Sequence, residues 1–434
     1  MPERNRAGWP SPPPKLAVVG QGYVGLPISM RAVEAGYHVV GIDIDDGRLD
    51  RLAAGTSYVG DISDAAVADA MATGQFAPSR TYDAAAGFDY AIITVPTPLR
   101  DGLPDLDYIE QAAAGLSPHV QPGCTVVLES TTYPGTTDEL LVPVLENSSG
   151  LKAGIDFYVG YSPERIDPGN STYGFVNIPK VIAGINEASL AQVRALYESL
   201  VDAVVAVSTC KVAELTKLLE NTFRHVNIAL VNELAMFAHD LGIDLWEAID
   251  ASSTKPFGYM RFTPGPGVGG HCLPVDPSYL SWQVKRTLGT PFRFVELAND
   301  VNDHMPDYVT RRIIAMLNDA CRPVRDSRIL LVGVSYKKNT PDVRESPALR
   351  VAELLRELGA LVHYADPHVD HCEIRDALGG EIAPVELTKE EVAGADLVVL
   401  LTDHDAFDYT AMDQAVPVLD CRRRLAPAPH VNTL

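Results

Sequence analysis

Residues 15–45 read KLAVVGQGYVGLPISMRAVEAGYHVVGIDID, and this stretch decides the fold. A short apolar run, KLAVV, leads into a glycine turn. A helix-length segment follows and ends near Gly36, and a second apolar run closes on Asp43. That is a β-α-β unit. Gly20, Gly22 and Gly25 form G-x-G-x-x-G directly after the first strand, with Tyr23 and Val24 inside the turn. Backbone without side chains can approach a pyrophosphate there, and the helix dipole favours the negative charge. The pattern alone also describes a glycine-rich turn with no ligand. Its context argues for a ligand, because Asp43 ends the second strand, where a carboxylate accepts from ribose hydroxyls and repels a 2′-phosphate. The expected cofactor is NAD in preference to NADP. Arg48 either flanks the adenosine or is a solvated helix charge.

Outward from this unit, YAIITVPTP (90–98) and TVVLES (125–130) are further strand-like runs separated by helical stretches, which indicates a doubly wound parallel sheet. From Lys211 to Leu241 one helical run, KVAELTKLLENTFRHVNIALVNELAMFAHDL, has almost no breakers. Residues 255–277 are rich in Gly and Pro and read as a buried, structured loop. The segment 328–367, RILLVGVSYKKNTPDVRESPALRVAELLRELGALVHYADP, repeats the opening layout without its full glycine set. The fold class is therefore α/β, two Rossmann-like doubly wound domains joined by a long central helix. The expected division is a disordered tail over 1–14, a dinucleotide-binding domain over 15–205, a central helical domain over 206–320 and a second Rossmann-like domain over 321–434.

Composition agrees with a globular chain of several domains: 434 residues, 46% hydrophobic. No run approaches the roughly 18 to 20 apolar residues of a membrane span, and MPERNRAGWPSPPP has no apolar signal core, so a cytoplasmic protein is expected. The six cysteines include no C-x-x-C pair, which favours reduced thiols over a disulfide framework or a metal site. A formal charge of −22 repels nucleic acid and acidic membranes. An anionic ligand must then meet locally placed donors.

Several side chains stand out against that background. Cys272 lies in PGPGVGGHCLPVDP, where glycines let the backbone come close to a ligand and prolines hold it rigid. A lone cysteine is more often a small buried hydrophobe, and His271-Cys272 also suggests a metal site or a hydrolase dyad. In an extended loop the two would point to opposite sides, so Asp276 is the better candidate for handling a proton or water. On the long helix, Lys217 and Asn221 are four apart and share a face that His225 continues, suited to holding a developing alkoxide. Glu129-Ser-Thr-Thr-Tyr-Pro-Gly and Tyr161-Ser-Pro-Glu-Arg follow strands at the sheet edge where such folds bind ligands. Glu164 there is either a base or an ordinary turn carboxylate. Tyr336-Lys337-Lys338 and Arg344 offer cations to a diphosphate.

Together the stretches GQGYVGL, VPTP, ESTTYPGTT, YSPERIDPG, AELTKLLENTFRHVNIALVNELA, KPFGYMRFTPGPGVGGHCLPVDP and GVSYKKNTPDVRESPAL resemble the UDP-glucose/GDP-mannose dehydrogenase family, from Lys15 to about Arg424. The resemblance implies a four-electron oxidation of a nucleotide sugar at C6 with two successive NAD molecules. Cys272 captures the aldehyde as a thiohemiacetal, which becomes a thioester and is hydrolysed. It implies that Lys217 and Asn221 stabilise oxyanions, that Asp276 and Glu164 assist proton and water steps, and that Thr131 positions a water. Tyr23, Val24, Thr97, Ser130 and Arg344 would join the glycines, Asp43 and Arg48 around NAD. Glu164, Arg165, Lys217, Asn221, Arg261, Gly270, Tyr336, Lys337 and Arg422 would contact the sugar nucleotide. The family dimerises through its central helix, and Arg261 would reach a neighbouring subunit's site.

Two departures bear on the substrate. Members acting on UDP-glucose or GDP-mannose carry a lysine just before the aspartate of the cysteine motif, where Val275 stands here. YSPERIDPG and STTYPGTT look more like the branch acting on UDP-N-acetylhexosamines; the alternative is a glucose-type substrate, carried on UDP or on another nucleobase such as thymine. Two other readings share these features: a β-hydroxyacid-type dehydrogenase with a catalytic lysine and no nucleophilic cysteine, and a non-catalytic NAD-binding sensor.

Overall fold

The computed structural model describes residues 13–60, 62–100, 103–166, 172–270, 272–369 and 382–434, and only the backbone of Cys272. The expected tail, apart from Pro13 and Pro14, lies outside the described residues. The chain divides into two compact units, residues 1–220 and 221–434.

In the first unit KLAVV forms strand β1 (Lys15–Val19). Leu16 and Val18 enter the apolar cluster on one face of the sheet, while Ala17 and Val19 enter the cluster on the other. Both faces are covered, which is why the run is apolar throughout instead of alternating. Helix α1 (Gly25–Ala35) follows and stops at Gly36, whose φ of +98° is the left-handed cap a glycine supplies. Strand β2 (His38–Ile42) returns beside β1. The remaining strands are β3 (Phe76–Ser79), β4 (Tyr90–Ile93), β5 (Thr125–Leu128), β6 (Tyr158–Tyr161), β7 (Lys180–Gly184) and β8 (Val204–Ala206). Among the described residues the sheet order is β8-β7-β6-β5-β4-β1-β2-β3.

Register carries the chemistry to one edge. Val19 aligns with Ile42 and Ile93, and Leu128 aligns with Ile93 and Tyr161. Gly20, Asp43, Thr94, Glu129 and Ser162 therefore follow the carboxyl ends of five neighbouring strands. The order reverses at β1, the switch point where doubly wound sheets bind ligands. The expectation of a parallel sheet holds except at β6 and β7, which pair antiparallel, Tyr161 opposite Ala183. That reversal puts the beginning of β7, Lys180, at the same edge. Helix α2 (Glu187–Leu200) packs on this end of the sheet.

Helix α3 (Cys210–Asp240) realises the long helical run within one residue at each end and continues from the first unit into the second. The second unit then contains helices α4 (Leu245–Ser253), α5 (Cys272–Leu288), α6 (Arg293–Asp303) and α7 (Met305–Asp319). Its sheet is built from β9 (Arg328–Val332), β10 (Leu361–Ala365), β11 (Ala383–Pro384), β12 (Leu397–Leu400), β13 (Val418–Asp420) and β14 (Val431–Thr433), with helix α8 (Pro347–Glu357) before β10. The six run parallel in the order β11-β10-β9-β12-β13-β14. Asp366 ends β10 as Asp43 ends β2. Its carboxylate accepts from Val334 and Ser335 N–H at 2.8 and 3.1 Å and faces His404 Nε2 at 3.0 Å, so it secures its own turn.

The loop expected over 255–277 is shorter than its composition suggests. Residues 255–261 are exposed, residues 264–266, 269 and 270 are buried, and Cys272 already begins α5. Proline is tolerated in a helix's first turn, where the N–H it lacks has no partner, so Pro274 does not prevent a start at Cys272.

The tightest backbone contact in the first turn is at Gly25, where an added Cβ would sit 1.8 Å from Gly20 O and 2.6 Å from Thr94 Oγ1. Gly25→Ala is expected to destabilise the protein by about 2 kcal/mol, lowering Tm by roughly 4 to 8 °C in a thermal melt. A shift under about 1 °C would contradict this packing.

Candidate active site

The nucleotide edge of the first unit is assembled from three strand ends. Gly20 has a φ of +92° and would bring a Cβ within 2.9 Å of Thr94 O, so the turn packs directly on β4. At Gly22 the nearest atom to an added Cβ is Arg48 Nη1 at 4.0 Å, and Tyr23 beside it is half exposed. Val24 precedes α1 and no side chain caps the helix; Leu26 and Ile28 donate to Gly22 O and Val24 O and Pro27 has no N–H, so what the helix start offers an anion is chiefly the positive end of its dipole. Asp43 is buried; one oxygen accepts from Gln21 N–H at 2.7 Å and the other from Asp45 N–H at 2.9 Å. These features fit a dinucleotide: an open glycine, a helix start with no side-chain cap and a fixed carboxylate at the end of β2. Arg48 lies 3.4 Å from Asp43 and against the Tyr58 ring, and the Tyr58 hydroxyl donates to Gln21 O. Burial and the nearby Asp43 push the Tyr58 hydroxyl well above its ordinary pKa.

Further along the edge, Thr97 is buried and Ser130 donates its hydroxyl to Val95 O at 2.7 Å. Thr131 is half-buried, while Thr132 next to it buries its hydroxyl with no partner among the described residues. Glu214 on α3 accepts from Gly135 N–H at 2.6 Å and from Thr137 N–H and Oγ1 at 2.9 and 2.7 Å. It thereby fixes the end of the ESTTYPGTT loop, and burial raises its pKa. Glu164 directs one oxygen to the backbone N–H groups of Arg165 and Ile166 and the other to Lys180 Nζ at 3.4 Å. Lys180 also binds Glu129 at 3.0 Å, and the Tyr197 hydroxyl donates to the second oxygen of Glu129. Arg165, expected at the substrate, pairs with Glu220 at 2.7 Å and donates to Pro179 O at 2.6 Å.

Lys217 behaves differently from Lys180. Both ammonium groups belong to buried residues, but Lys217 pairs with no carboxylate among the described residues. A buried lysine without a counter-ion is costly unless a ligand supplies the charge.

In the second unit Asn221 donates to Asp276 and accepts from Arg224. Both Asn221 and Asp276 are buried. Because Cys272 starts a helix, Asp276 lies one turn from it on the same face. The expected opposition of His271 and Cys272 assumed an extended chain; the helix begins at Cys272, and the side chains of both lie outside the described residues. His225 bridges α3 to Asn299 at 2.7 Å, and burial lowers its pKa, with Asn299 acting in the opposite sense. Asn232 accepts from Gly265 N–H at 2.9 Å and donates to Asn302 at 3.0 Å, which ties the loop before Cys272 to α3 and α6.

That loop packs on the second sheet's edge. An added Cβ at Gly270 would lie 2.6 Å from the Tyr336 ring, and Gly270 N–H donates to Arg344 O at 2.9 Å. Gly265 abuts Arg422, whose Nε donates to Leu401 O at 2.7 Å and which has no carboxylate partner among the described residues. Lys337 is half-buried in the same turn. Arg344 is exposed and paired with Asp342 at 2.6 Å; Arg261 is exposed and paired with Asp250 at 2.7 Å.

Sequence reasoning missed Lys180, Tyr197, Glu214, Asn232 and Asn302. Only Lys180 carries a signal, as a charge opening the otherwise apolar strand KVIAG.

Residues 14–201 match the NAD binding domain, 211–304 the central domain and 330–427 the UDP binding domain of the UDP-glucose/GDP-mannose dehydrogenase family. The chain belongs to that family. It is an NAD-dependent nucleotide-sugar dehydrogenase, with NAD as cofactor and a nucleotide sugar as its small-molecule partner. It is similar to the UDP-N-acetyl-D-mannosamine dehydrogenase of Pyrococcus horikoshii, 35% identical over 394 residues that cover 91% of this chain and 90% of that protein. It is also similar to the UDP-N-acetyl-D-glucosamine 6-dehydrogenase of Pseudomonas aeruginosa, 35% identical over 96% of this chain and 95% of that protein. The solved structure of the Pyrococcus horikoshii enzyme superposes with a TM-score of 0.86 at 32% identity, covering 96% of this chain and 98% of that one.

If Asp43 holds the ribose, Asp43→Ala is expected to weaken NAD binding about tenfold, roughly 1.4 kcal/mol, in a calorimetric titration. An unchanged Kd would remove Asp43 from the cofactor site.

Proposed function

We propose that the chain oxidises the C6 hydroxyl of a UDP-N-acetylhexosamine, UDP-N-acetylmannosamine foremost, to the carboxylate through a covalent intermediate on Cys272. The observation that carries this reading is Lys217, buried on α3 with no carboxylate partner among the described residues, a charge that an oxyanion would satisfy. Relatives that cover over nine tenths of this chain are named for UDP-N-acetylhexosamine substrates. Val275, buried where a lysine marks the UDP-glucose and GDP-mannose branches, supports the same choice.

When bound, each of two successive NAD molecules would supply the acceptor for one hydride. Gly20, Gly22, Tyr23, Val24, Gly25 and Asp43 would hold it, with Arg48, Thr97, Ser130 and Arg344 at its margins. Lys217 and Asn221, one helical turn apart, donate to the C6 oxygen as negative charge develops there. The Cys272 sulfur adds to the aldehyde carbon, so the intermediate stays bound, and Asp276 takes the thiol proton. After the second oxidation the carbon is a thioester. Water steadied by Thr131 attacks it, Glu164 accepts the water proton, the C–S bond breaks and the thiolate is regenerated. Arg422 and Lys337 neutralise the diphosphate, with Arg165, Gly270 and Tyr336 lining the nucleotide sugar.

The same reading makes the enzyme a cytoplasmic homodimer in which Arg261 reaches the partner's site. Among the described residues no helix is long and apolar enough to cross a membrane. Phe223, Leu230, Leu234, Phe237 and Leu241 form an exposed apolar row along α3 and just past its end, the kind of face a second copy covers.

The test is NADH formed per sugar consumed, across UDP-N-acetylmannosamine, UDP-N-acetylglucosamine, UDP-glucose and GDP-mannose. Two NADH per UDP-N-acetylhexosamine are expected, and Cys272→Ser should abolish the second. One NADH per sugar with an active Cys272→Ser variant would return the chain to the β-hydroxyacid-type reading. Leu234→Glu with Phe237→Glu is expected to yield a monomer by light scattering; an unchanged mass would move the interface elsewhere.

A further inference from the structure

Among the described residues, Lys180 is the one at the sheet edge whose side chain touches the proposed hydrolytic base without belonging to any of the motifs. Its ammonium is buried between Glu129 at 3.0 Å and Glu164 at 3.4 Å, beneath the rings of Phe175 and Tyr197. Each carboxylate is anchored at its other oxygen, Glu129 by the Tyr197 hydroxyl and Glu164 by the N–H groups of Arg165 and Ile166. Four segments meet here: the ends of β5 and β6, the start of β7, and α2.

A structural ion pair needs one lysine and one carboxylate. Here two carboxylates share one buried ammonium, and both are fixed in orientation. We propose that Lys180 is a positioning residue for thioester hydrolysis, holding the Glu164 carboxylate where it takes the proton of the attacking water. This rests on the reading of Glu164 given above. Burial pushes the Glu129 carboxyl up to about 7, against the pull of Lys180. In the step itself the water oxygen bonds to the thioester carbon, Glu164 receives the proton, and the C–S electron pair returns to Cys272.

The antiparallel turn from β6 to β7 serves this arrangement. With β7 parallel to β6, Lys180 would open at the opposite edge of the sheet, and Glu164 would face only backbone donors.

The experiment follows the full-length enzyme with UDP-N-acetylmannosamine and NAD by stopped flow and by mass analysis of the Cys272 peptide. Lys180→Met is expected to give a burst of two NADH per site and then a steady state slower by about 10- to 100-fold, with acyl-enzyme accumulating. Lys180→Arg should recover part of the rate, because a guanidinium reaches both carboxylates. Removing the lysine alone leaves two buried carboxylates facing one another, so the decisive variant is Glu129→Gln with Lys180→Met, which restores the charge balance without the ammonium. If that folded double variant still accumulates acyl-enzyme, Lys180 positions Glu164. Hydrolysis at the wild-type rate, or a uniform loss of both oxidations with no acyl-enzyme, would overturn the inference and leave Lys180 a structural partner of Glu129. Glu164→Gln run alongside separates the two levels. If it too fails to accumulate acyl-enzyme while the wild type makes two NADH per sugar, the role of Glu164 falls, and this inference with it. One NADH per sugar in the wild type would instead remove the covalent mechanism.

Discussion

The buried ammonium of Lys180, shared by Glu129 and Glu164, is the interaction on which the carboxyl edge of the first sheet depends. Taking an ion out of water costs several kcal/mol, and only well-placed partners offset it. Three sheet strands and a helix must therefore hold their relative positions for the cluster to exist. Glu214 applies the same constraint to the ESTTYPGTT loop by capping Gly135 and Thr137. The edge is thus stiff where a reaction needs fixed groups, and Lys217 is buried with no carboxylate partner among the described residues.

In the second unit, closeness of backbone does comparable work. Gly265, Gly267, Gly269 and Gly270 let the loop before Cys272 lie against Arg422, Pro347 and Tyr336, where any side chain would collide. Asn232 then ties Gly265 to α3, and Asn221 ties Asp276 to the same helix. The start of α5 is consequently referenced to α3 at two points, and the turn after β9 to the loop. A mechanism that passes one carbon from alcohol to thioester requires this kind of fixed spacing among donor, nucleophile and base.

Much of this is legible in the sequence because it is local. The run from Lys15 to Asp43 declares its strands, glycine turn and helix end through spacing alone, and α3 declares itself through unbroken periodicity. Cys272, Asp276, Lys217 and Asn221 stand out because each residue type is unusual in its setting. What escapes is what depends on tertiary pairing. Nothing within KVIAG says that β7 runs antiparallel, so nothing says that Lys180 meets Glu164. The prolines of CLPVDP read as loop, yet a helix begins at Cys272: Pro274 falls in its first turn, where the N–H it lacks needs no intrahelical partner, and Pro277 is carried inside the helix. Arg48, Arg165, Arg261 and Arg344 are visible as cations, but their partners Asp43, Glu220, Asp250 and Asp342 are not.

The central claim is that one carbon, C6 of the sugar, loses two hydrides before the product leaves. UDP-N-acetylmannosamine carrying two deuterium atoms at C6 tests it directly, with mass analysis of both the product and the reduced cofactor. The account predicts a uronate with no deuterium at C6 and two deuterated cofactor molecules per sugar. A released product that keeps one deuterium at C6, with a single labelled cofactor, would contradict it.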